Sequence, residues 1–402
     1  MDIQDATGGQ AARSGIGSPP FDAAQLDAHL DAAGIDVLLV TSKHNVQYLL
    51  GGYRYFFFDR MDAIGLSRYL PILVYPRGRP DKAAYFGNAM ECFEQEISPL
   101  WTPEVQAQFW GTLDAMAAAT GYLSKIGLGA ARVGIETGFL PVDAYHALRA
   151  ALPEASPVEA HGPLDQLRAV KTPTELHYMR EASERVVDAM LAVMSGHGPG
   201  TTKRELVAAL RREEEARGLT FEYCLPTVGT SHNRAPASDE TWEIGHPLSL
   251  DSGANYRGYI GDLCRMAVLG EPDSELRDLL DEVLAVQDAA MAQIRPGARG
   301  GSVQDAGERK LRASPHGVCM HFVTHGVGLV SHEVPHLTDK GPVPYPAKEA
   351  ERPLQPGIVL SVETTMLHPC RGFVKIEDTI AVTETGHELL GGAGRSWNRG
   401  RV

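Results

Sequence analysis

Cysteine is scarce in this sequence, with five residues in a chain of 402. They lie at Cys92, Cys224, Cys264, Cys319 and Cys370, an odd number with no CxxC pair. This pattern excludes a disulfide framework and a thiolate zinc site. It is typical of a protein from a reducing cytoplasm, which is the predicted location.

Long apolar runs are also missing. The run IDVLLV at residues 35–40 has six residues, whereas a membrane-spanning helix needs about 20. The first twenty residues lack the basic and apolar regions of a signal peptide, so residues 1–20 are expected to form a disordered leader. A formal net charge of −14 argues against nucleic acid or an anionic membrane as the main partner.

The chain does have enough length for two domains, because single cores rarely exceed roughly 250 to 300 residues. Residues 21–163 alternate between helical patterns and short apolar strands such as YLPILVYP, which predicts an α/β N-terminal domain. In residues 164–402, Thr172 and Pro173 predict an N-cap and the first turn of a long helix. Mostly strand patterns follow, so this second domain is predicted to be α+β with an antiparallel sheet.

Two carboxylates lie inside a predicted hairpin, LSLDSGANYRGYIGDLCRM. A two-residue turn at Tyr256 and Arg257 would place Asp251 directly opposite Asp262 on one face of the sheet. Like charges in that position are unfavourable unless they are solvated or a cation lies between them. Both explanations fit this stretch taken alone.

A second predicted hairpin repeats the arrangement. In GIVLSVETTMLHPCRGFVKIEDTIAV, a loop centred on HPCRG would place Glu363 opposite Glu377. The stretch HFVTHGVGLVSHEVP adds His321, His325 and His332. Four converging carboxylates require a divalent cation, and an oxygen-rich set with one imidazole suits Mn, Mg, Fe(II) or Co better than a structural zinc.

Taken in order, the segments LDSGANYRGYIGD, THGVGLVSHEVP, SVET and VKIEDTIAV resemble the metal-binding signature of the pita-bread metallohydrolases. That family includes methionine aminopeptidase, Xaa-Pro aminopeptidase and prolidase. The segment LRAVKTPTELHYMREA is similar to the helix that opens the catalytic domain in the creatinase and prolidase branch. The resemblance implies a pita-bread catalytic domain at 164–402 behind a creatinase-like N-terminal domain at 21–163.

The resemblance also implies a ligand set for two divalent ions per chain, with Mn foremost and Co, Fe, Zn or Mg as alternatives. In this role Asp251 would bind one ion, Asp262 and Glu377 would bridge both ions, and His325 would be the single imidazole ligand. The expected metal ligands are therefore Asp251, Asp262, His325, Glu363 and Glu377.

Three catalytic roles follow from the same resemblance. The two ions would clamp and activate a water that attacks an amide carbonyl. Glu363 would carry the proton, and His332 would donate a hydrogen bond to the oxyanion or the leaving nitrogen. His321 matches a further pocket histidine of the Xaa-Pro aminopeptidase branch.

The sequence departs from the family pattern in the loop before the first ligand. Peptidase members place a histidine where this chain has Ser238, and the loop from there to Asp251 is shorter. His232 or His246 is a candidate substitute, although each also fits a surface loop. Lys375 stands where relatives often have arginine, a change that keeps the charge.

The segment GGYRYFFFDRMD, Gly51 to Asp62, is unusual for its three consecutive phenylalanines. It is interpreted either as a strand buried on both faces or as a loop that reaches the active site of a second subunit. The second interpretation predicts a homodimer, as in dimeric members of this branch.

Three functions are compatible with these features. The first is a hydrolase of short Xaa-Pro peptides. The second applies the same metal centre to a small non-peptide molecule, as ectoine hydrolase or the dimethylsulfoniopropionate lyase does. The missing histidine at Ser238 favours this alternative, and an aromatic cage in the Gly51–Asp62 segment would suit a cationic ligand. The third is a catalytically inactive binding module, against which the complete ligand set argues.

Overall fold

A computed structural model describes residues 18–59, 68–341 and 345–402. The chain divides into two compact units, one ending at Leu167 and the other beginning at Arg168. Residues 1–17 of the expected leader lie outside the described residues. Within the described ranges, no helix has both the length and the apolar character needed to cross a membrane.

The N-terminal unit is built around a six-stranded mixed sheet in the order β4-β3-β2-β1-β5-β6. Helices cover both faces of this sheet, since its central strands are buried throughout and side chains of successive residues pack into two different core clusters. The predicted α/β character is therefore confirmed. The elements are α1 (Ala23–Ala32), β1 (Val37–Val40), α2 (Lys43–Leu49), β2 (Ile72–Pro76), β3 (Ala84–Asn88), α3 (Cys92–Ile97), β4 (Glu104–Phe109), α4 (Thr112–Lys125), β5 (Arg132–Ile135), α5 (Val142–Ala151), β6 (Ser156–Glu159) and α6 (His161–Ala169).

The phenylalanine-rich segment is not a strand. Phe56–Asp59 forms a short 3-10 helix, and residues 60–62 lie outside the described residues. Tyr55 and Phe58 are buried in an aromatic cluster with Tyr69, whereas Phe56 is 55% exposed. The interpretation as a strand buried on both faces is wrong, because a 3-10 helix directs the three consecutive rings in different directions.

The C-terminal unit contains a ten-stranded sheet whose main path runs β14-β13-β15-β16-β12-β11-β8. The strands of this path pair antiparallel, as predicted. The elements are α7 (Pro173–Gly196), β7 (Thr201–Thr202), α8 (Lys203–Ala216), β8 (Thr220–Cys224), β9 (Thr227–Val228), β10 (Thr241–Trp242), β11 (Pro247–Tyr256), β12 (Tyr259–Val268), α9 (Ser274–Met291), α10 (Gly301–Arg312), β13 (Met320–Gly326), β14 (Glu333–His336), β15 (Val359–His368), β16 (Gly372–Val382), β17 (His387–Leu390) and β18 (Asn398–Arg399).

Four helices of this unit pack against one face of the sheet. Helix α7 begins as predicted, with the Thr172 side chain accepting from the Glu175 backbone and Pro173 in the first turn. Helix α7 packs on β11 and β12, and α9 packs on β15 and β16, while α8 contacts β8 and α10 contacts β13. Because side chains alternate along a strand, the opposite face of the same strands remains for polar residues.

The β11–β12 hairpin has a different register from the predicted one. Its turn is formed by Arg257 and Gly258, both with positive φ (52° and 99°), and not by Tyr256 and Arg257. A two-residue turn with both central residues at positive φ favours glycine at the second position, which Gly258 supplies. Asp262 consequently lies opposite Gly253.

The change of register moves the pairing by two residues, so both aspartates stay on the same face. Asp251 lies opposite Cys264 and is diagonal to Asp262, instead of directly opposite it. In the β15–β16 hairpin the predicted register is confirmed, with Glu363 directly opposite Glu377.

Helix α7 approaches β12 most closely at Gly261. A Cβ atom at this residue would lie 2.7 Å from the Ser183 backbone nitrogen and 2.8 Å from the Ala182 carbonyl carbon. Neither neighbour is a flexible side chain, so the helix itself would have to move.

We expect Gly261→Ala to lower the free energy of unfolding by about 1–3 kcal/mol, the usual cost of overpacking a core. Urea denaturation monitored by circular dichroism measures this change. Gly196→Ala at the end of the same helix is the matched control, because no atom lies within 4 Å of its added Cβ. Equal stability of the two variants would contradict the close approach of α7 to β12.

Candidate metal centre

The polar face of the C-terminal sheet carries the predicted ligands in two adjacent rows that cross the strands. In the first row, Asp251 on β11 pairs with Cys264 on β12, which pairs with Glu377 on β16, which pairs with Glu363 on β15. The row therefore brings three carboxylates from three strands onto one line.

The second row lies two residues further along each strand. It contains Asp262 on β12, Ser361 on β15 opposite Thr379 on β16, and His325 on β13 opposite Ser361. The Thr379 hydroxyl donates to the Asp262 carbonyl oxygen at 2.9 Å, and the Ser361 hydroxyl donates to Oε1 of Glu377 at 2.8 Å. The two rows together bring all five predicted ligands to one place.

His325 presents an unpartnered nitrogen to these carboxylates. Its Nδ1 lies 3.0 Å from the Gly326 carbonyl oxygen, to which it can donate, so the lone pair falls on Nε2. That Nε2 is buried and has no hydrogen-bond partner among the described residues. It lies 3.8 Å from Oε1 of Glu363 and 3.9 Å from Oε1 of Glu377.

These separations fit an ion between the donors, since each donor would then be about 2 Å from the metal. Ligand atoms of Asp262, His325 and Glu377 all lie within 4.8 Å of one another, and the three residues are buried. The residues present therefore fit a divalent ion on the His325 side of the cluster.

The electrostatics of the cluster also demand a cation. Burial, followed by the negative charges of Glu377 and Asp251, raises the pKa of Asp262 well above its usual range. Burial raises the pKa of Asp251 as well, although the nearby Lys375 ammonium opposes this change. Without positive charge, such carboxylates take up protons and lose their value as ligands.

Lys375 supplies part of that positive charge. In the sequence this residue was noted only for keeping the charge of an expected arginine. The buried Nζ lies 2.6 Å from Oδ2 of Asp251, 2.6 Å from Oε2 of Glu363 and 2.8 Å from Oε2 of Glu377. Burial alone would lower the pKa of Lys375, but these three carboxylates outweigh it and raise the pKa well above its usual value. The ammonium is therefore charged.

Two further residues were missed in the sequence. Arg234, in the loop before β10, binds Oδ2 of Asp251. The Tyr223 hydroxyl on β8 donates to Oδ1 of Asp262 at 2.5 Å. Gly253 makes room for this tyrosine, because a Cβ there would lie 2.5 Å from the ring. A glycine inside a strand opposite an acidic residue was the available signal.

His332 stacks on His325, with ring centroids 3.8 Å apart and planes 13° from parallel. Its Nδ1 lies 2.6 Å from the Tyr345 hydroxyl, a contact that the sequence did not suggest. Burial, followed by the electrostatic influence of His325 and Lys375, lowers the pKa of His332 to about 3. The imidazole is therefore neutral near pH 7.

A cavity of about 710 Å³ opens beside Glu363 within the C-terminal unit. His321 lies on the same face of β13 as His325 and lines this cavity. The polar lining residues include His232, Arg234, Glu308, Arg312, His321, Lys340 and Glu363.

The loop before β11, which departs from the family pattern, places some of its polar residues at this cavity and others away from it. His232 lines the cavity, and its Nε2 lies 3.1 Å from the His368 carbonyl oxygen. Ser238 instead donates to Glu240 at 2.8 Å. The His246 ring packs against Gly229, where φ is 60°. Arg234 and His232, rather than Ser238 or His246, are thus the polar groups that this loop brings to the cavity.

A cluster of carboxylates with one imidazole on an antiparallel sheet is the oxygen-rich ligand set of a metalloenzyme of the pita-bread class. Residues 177–384 match metallopeptidase family M24, and residues 23–170 match the creatinase/prolidase N-terminal domain. The chain belongs to metallopeptidase family M24. The predicted family, fold class and assignment as a metal-dependent hydrolase are confirmed.

Named relatives and solved structures agree with this assignment. An uncharacterized peptidase of Bacillus subtilis, YqhT, is 26% identical over 89% of this chain and 94% of its own. The Xaa-Pro dipeptidase of Pyrococcus furiosus is 28% identical over 56% of this chain and 64% of its own. The structure of the Xaa-Pro dipeptidase from Bacillus anthracis superposes with a TM-score of 0.79 at 23% identity, covering 94% of this chain and 98% of that one.

The two stacked histidines make a sharp test of the ligand assignment. We expect His325→Ala to weaken Mn²⁺ binding by more than about 100-fold, the upper end for loss of a residue that only supports a ligand. His332→Ala should retain the metal, because its Nδ1 is directed at Tyr345. Equilibrium dialysis with elemental analysis measures both affinities, and loss of metal from His332→Ala alone would show that the two roles are reversed.

Proposed function

We propose that this chain hydrolyses the amide bond before proline in short peptides, as an Xaa-Pro dipeptidase or aminopeptidase does. Membership of family M24 supports hydrolysis of a peptide bond. Relatives and structural neighbours named Xaa-Pro dipeptidase support the proline specificity. All five expected ligands are present on one sheet face, which argues against a catalytically inactive binding module.

The charge of the residues that line the cavity supports a peptide substrate. Arg234, Arg312 and Lys340 line it together with Glu308 and Glu363, so three cations stand against two carboxylates. Glu308 pairs with both Arg312 and Lys340. Such a lining favours a substrate with a free carboxylate, which a short peptide provides at its C-terminus. It disfavours a substrate with a net positive charge.

The chemistry divides between the metal and the protein. A divalent ion held at the centre would lower the pKa of a water toward neutrality and polarise the substrate carbonyl. Glu363 is both a ligand candidate and part of the cavity lining, which suits it to carry the proton from that water to the leaving nitrogen.

His332 completes the arrangement as a hydrogen-bond donor. Because its imidazole is neutral, one nitrogen accepts and the other donates. The Tyr345 hydroxyl can donate to Nδ1, which leaves the proton on Nε2 for the developing oxyanion or the leaving nitrogen. Tyr345 acts in this scheme as a positioning residue, and His321 as a cavity residue that contacts the substrate.

Manganese is the proposed metal, because oxygen donors dominate the site and a single imidazole completes it. The resemblance implies two ions per chain. The position of the Lys375 ammonium affects how many ions can bind. The five free cysteines support the expected cytoplasmic location, since none of them is paired.

The alternative, a small non-peptide substrate, keeps one supporting observation. The peptidase histidine is replaced by Ser238, which is hydrogen-bonded to Glu240 and is not among the cavity-lining residues. His232 and Arg234 approach the cavity from the same loop, so the substrate contacts there differ in chemistry from the expected imidazole.

A substrate panel with Mn²⁺-loaded enzyme separates the two functions. We expect cleavage of Xaa-Pro dipeptides and tripeptides. Amidation of the same peptides at the C-terminus should lower kcat/KM by roughly 10- to 100-fold, because a charged hydrogen bond contributes about 1.5–3 kcal/mol. Turnover of ectoine or a betaine-like osmolyte, with every Xaa-Pro peptide left intact, would replace the peptidase proposal by the alternative.

The homodimer remains a proposal, supported by the exposed Phe56 ring in the 3-10 helix. We expect sedimentation velocity to give a dimer, and Phe56→Ser to reduce activity if the segment reaches a second subunit. The Phe93→Ser variant is the matched control, because it changes another exposed phenylalanine of the same unit. A fully active monomer would rule out the contribution of a partner subunit.

A further inference from the structure

The Lys375 ammonium occupies the Asp251 side of the metal centre. An ammonium group has three N–H donors. The Lys375 ammonium donates to Oδ2 of Asp251 at 2.6 Å and forms ion pairs with Oε2 of Glu363 and Oε2 of Glu377 at 2.6 and 2.8 Å. The three partners come from three strands, so Nζ lies inside the cluster and not at its edge.

The two glutamates divide their oxygens between two sides. Oε2 of Glu363 and Oε2 of Glu377 bind Lys375. Oε1 of each residue lies instead 3.8–3.9 Å from the unpartnered Nε2 of His325. Each glutamate can therefore bridge the ammonium and an ion on the His325 side, which Asp262 also reaches.

On the Asp251 side, one carboxylate oxygen is already bound by two side-chain cations. Oδ2 of Asp251 is bound by both Lys375 and Arg234. Asp251 is the ligand that the resemblance assigns to one ion alone, so that ion would compete directly with two side-chain cations. A divalent ion about 4 Å from an ammonium and a guanidinium is also repelled by both.

The formal charges favour the same arrangement. The four carboxylates are balanced by Lys375, Arg234 and a single divalent ion. A second divalent ion would leave the buried cluster with a surplus of two positive charges, which is unfavourable in a region that excludes water.

The shape of the lysine side chain explains how the cation reaches this position. Guanidinium is planar and broad, whereas the lysine ammonium is a compact point charge on a flexible stem. Lysine at residue 375 can therefore place its charge between three carboxylates as a small ion would.

We propose that the chain binds one divalent ion, at Asp262, His325, Glu363 and Glu377, and that the Lys375 ammonium takes the place of a second ion beside Asp251. This inference rests on the metal use of the proposed function. It replaces the expectation of two ions per chain.

The test is a metal titration of the full chain after treatment with a chelator. Equilibrium dialysis against Mn²⁺ with elemental analysis should give one ion per chain. Electron paramagnetic resonance should show the hyperfine pattern of an isolated Mn²⁺, because a pair of ions about 3.5–4 Å apart would be magnetically coupled. Neither readout depends on which substrate is cleaved, so failure of the peptidase proposal leaves it unaffected.

Lys375→Met removes the ammonium while keeping most of the side-chain volume, and we expect it to bind a second Mn²⁺. Lys340→Met is the matched control, because Lys340 lines the cavity but is bound to Glu308 at 2.9 Å. That variant should still bind one ion.

Two ions per wild-type chain with a coupled spectrum would overturn the proposal, as would a wild-type chain that binds none. One ion in Lys375→Met would equally overturn the role of the ammonium. If Lys375→Met does not fold, the wild-type stoichiometry and spectrum decide the question alone.

Discussion

The gathering of four carboxylates, three of them buried, on one face of a sheet is the constraint on which the rest of the C-terminal unit depends. Like charges gathered in this way repel one another unless positive charge lies between them. The sheet meets this constraint from two sides. The Lys375 ammonium and Arg234 neutralise the Asp251 side, and the unpartnered Nε2 of His325 marks the side where a metal ion fits. The helices on the other face keep the strands in register.

The common face of the four carboxylates was predictable because side chains alternate along strands, whereas the ligand role of His325 came only from the family resemblance. Parity places Asp251, Asp262, Glu363 and Glu377 on one face, and an error of two residues in the β11–β12 register left that parity intact. The register itself was missed because the turn was expected at Tyr256 and Arg257, one position before the actual turn residues Arg257 and Gly258. The α/β and α+β characters of the two units also follow from local hydrophobic patterns. The longer the helix or strand, the more clearly its hydrophobic period stands out.

Contacts between residues distant in sequence were not predictable in the same way. Alternation along β16 places Lys375 on the same face as Glu377, but its contacts with Asp251 and Glu363 depend on how the strands pair. Arg234 and Tyr345 likewise act from loops, whose conformation depends on the elements around them rather than on periodicity. The 3-10 helix at Phe56–Asp59 was misread for a related reason, since three consecutive phenylalanines fit no period and only tertiary packing decides which ring is buried.

The pairing of Cys264 on β12 with Glu377 on β16 has a consequence for the order of folding. The two hairpins can form early, because each joins neighbouring strands through a short turn. The pairing between them closes a long loop and pays the entropy of that closure late. Ligands on both sides of this pairing meet only when it exists, so the metal binds the completed sheet and not the separate hairpins. Metal should therefore slow the unfolding of the C-terminal unit while leaving the formation of its hairpins unchanged.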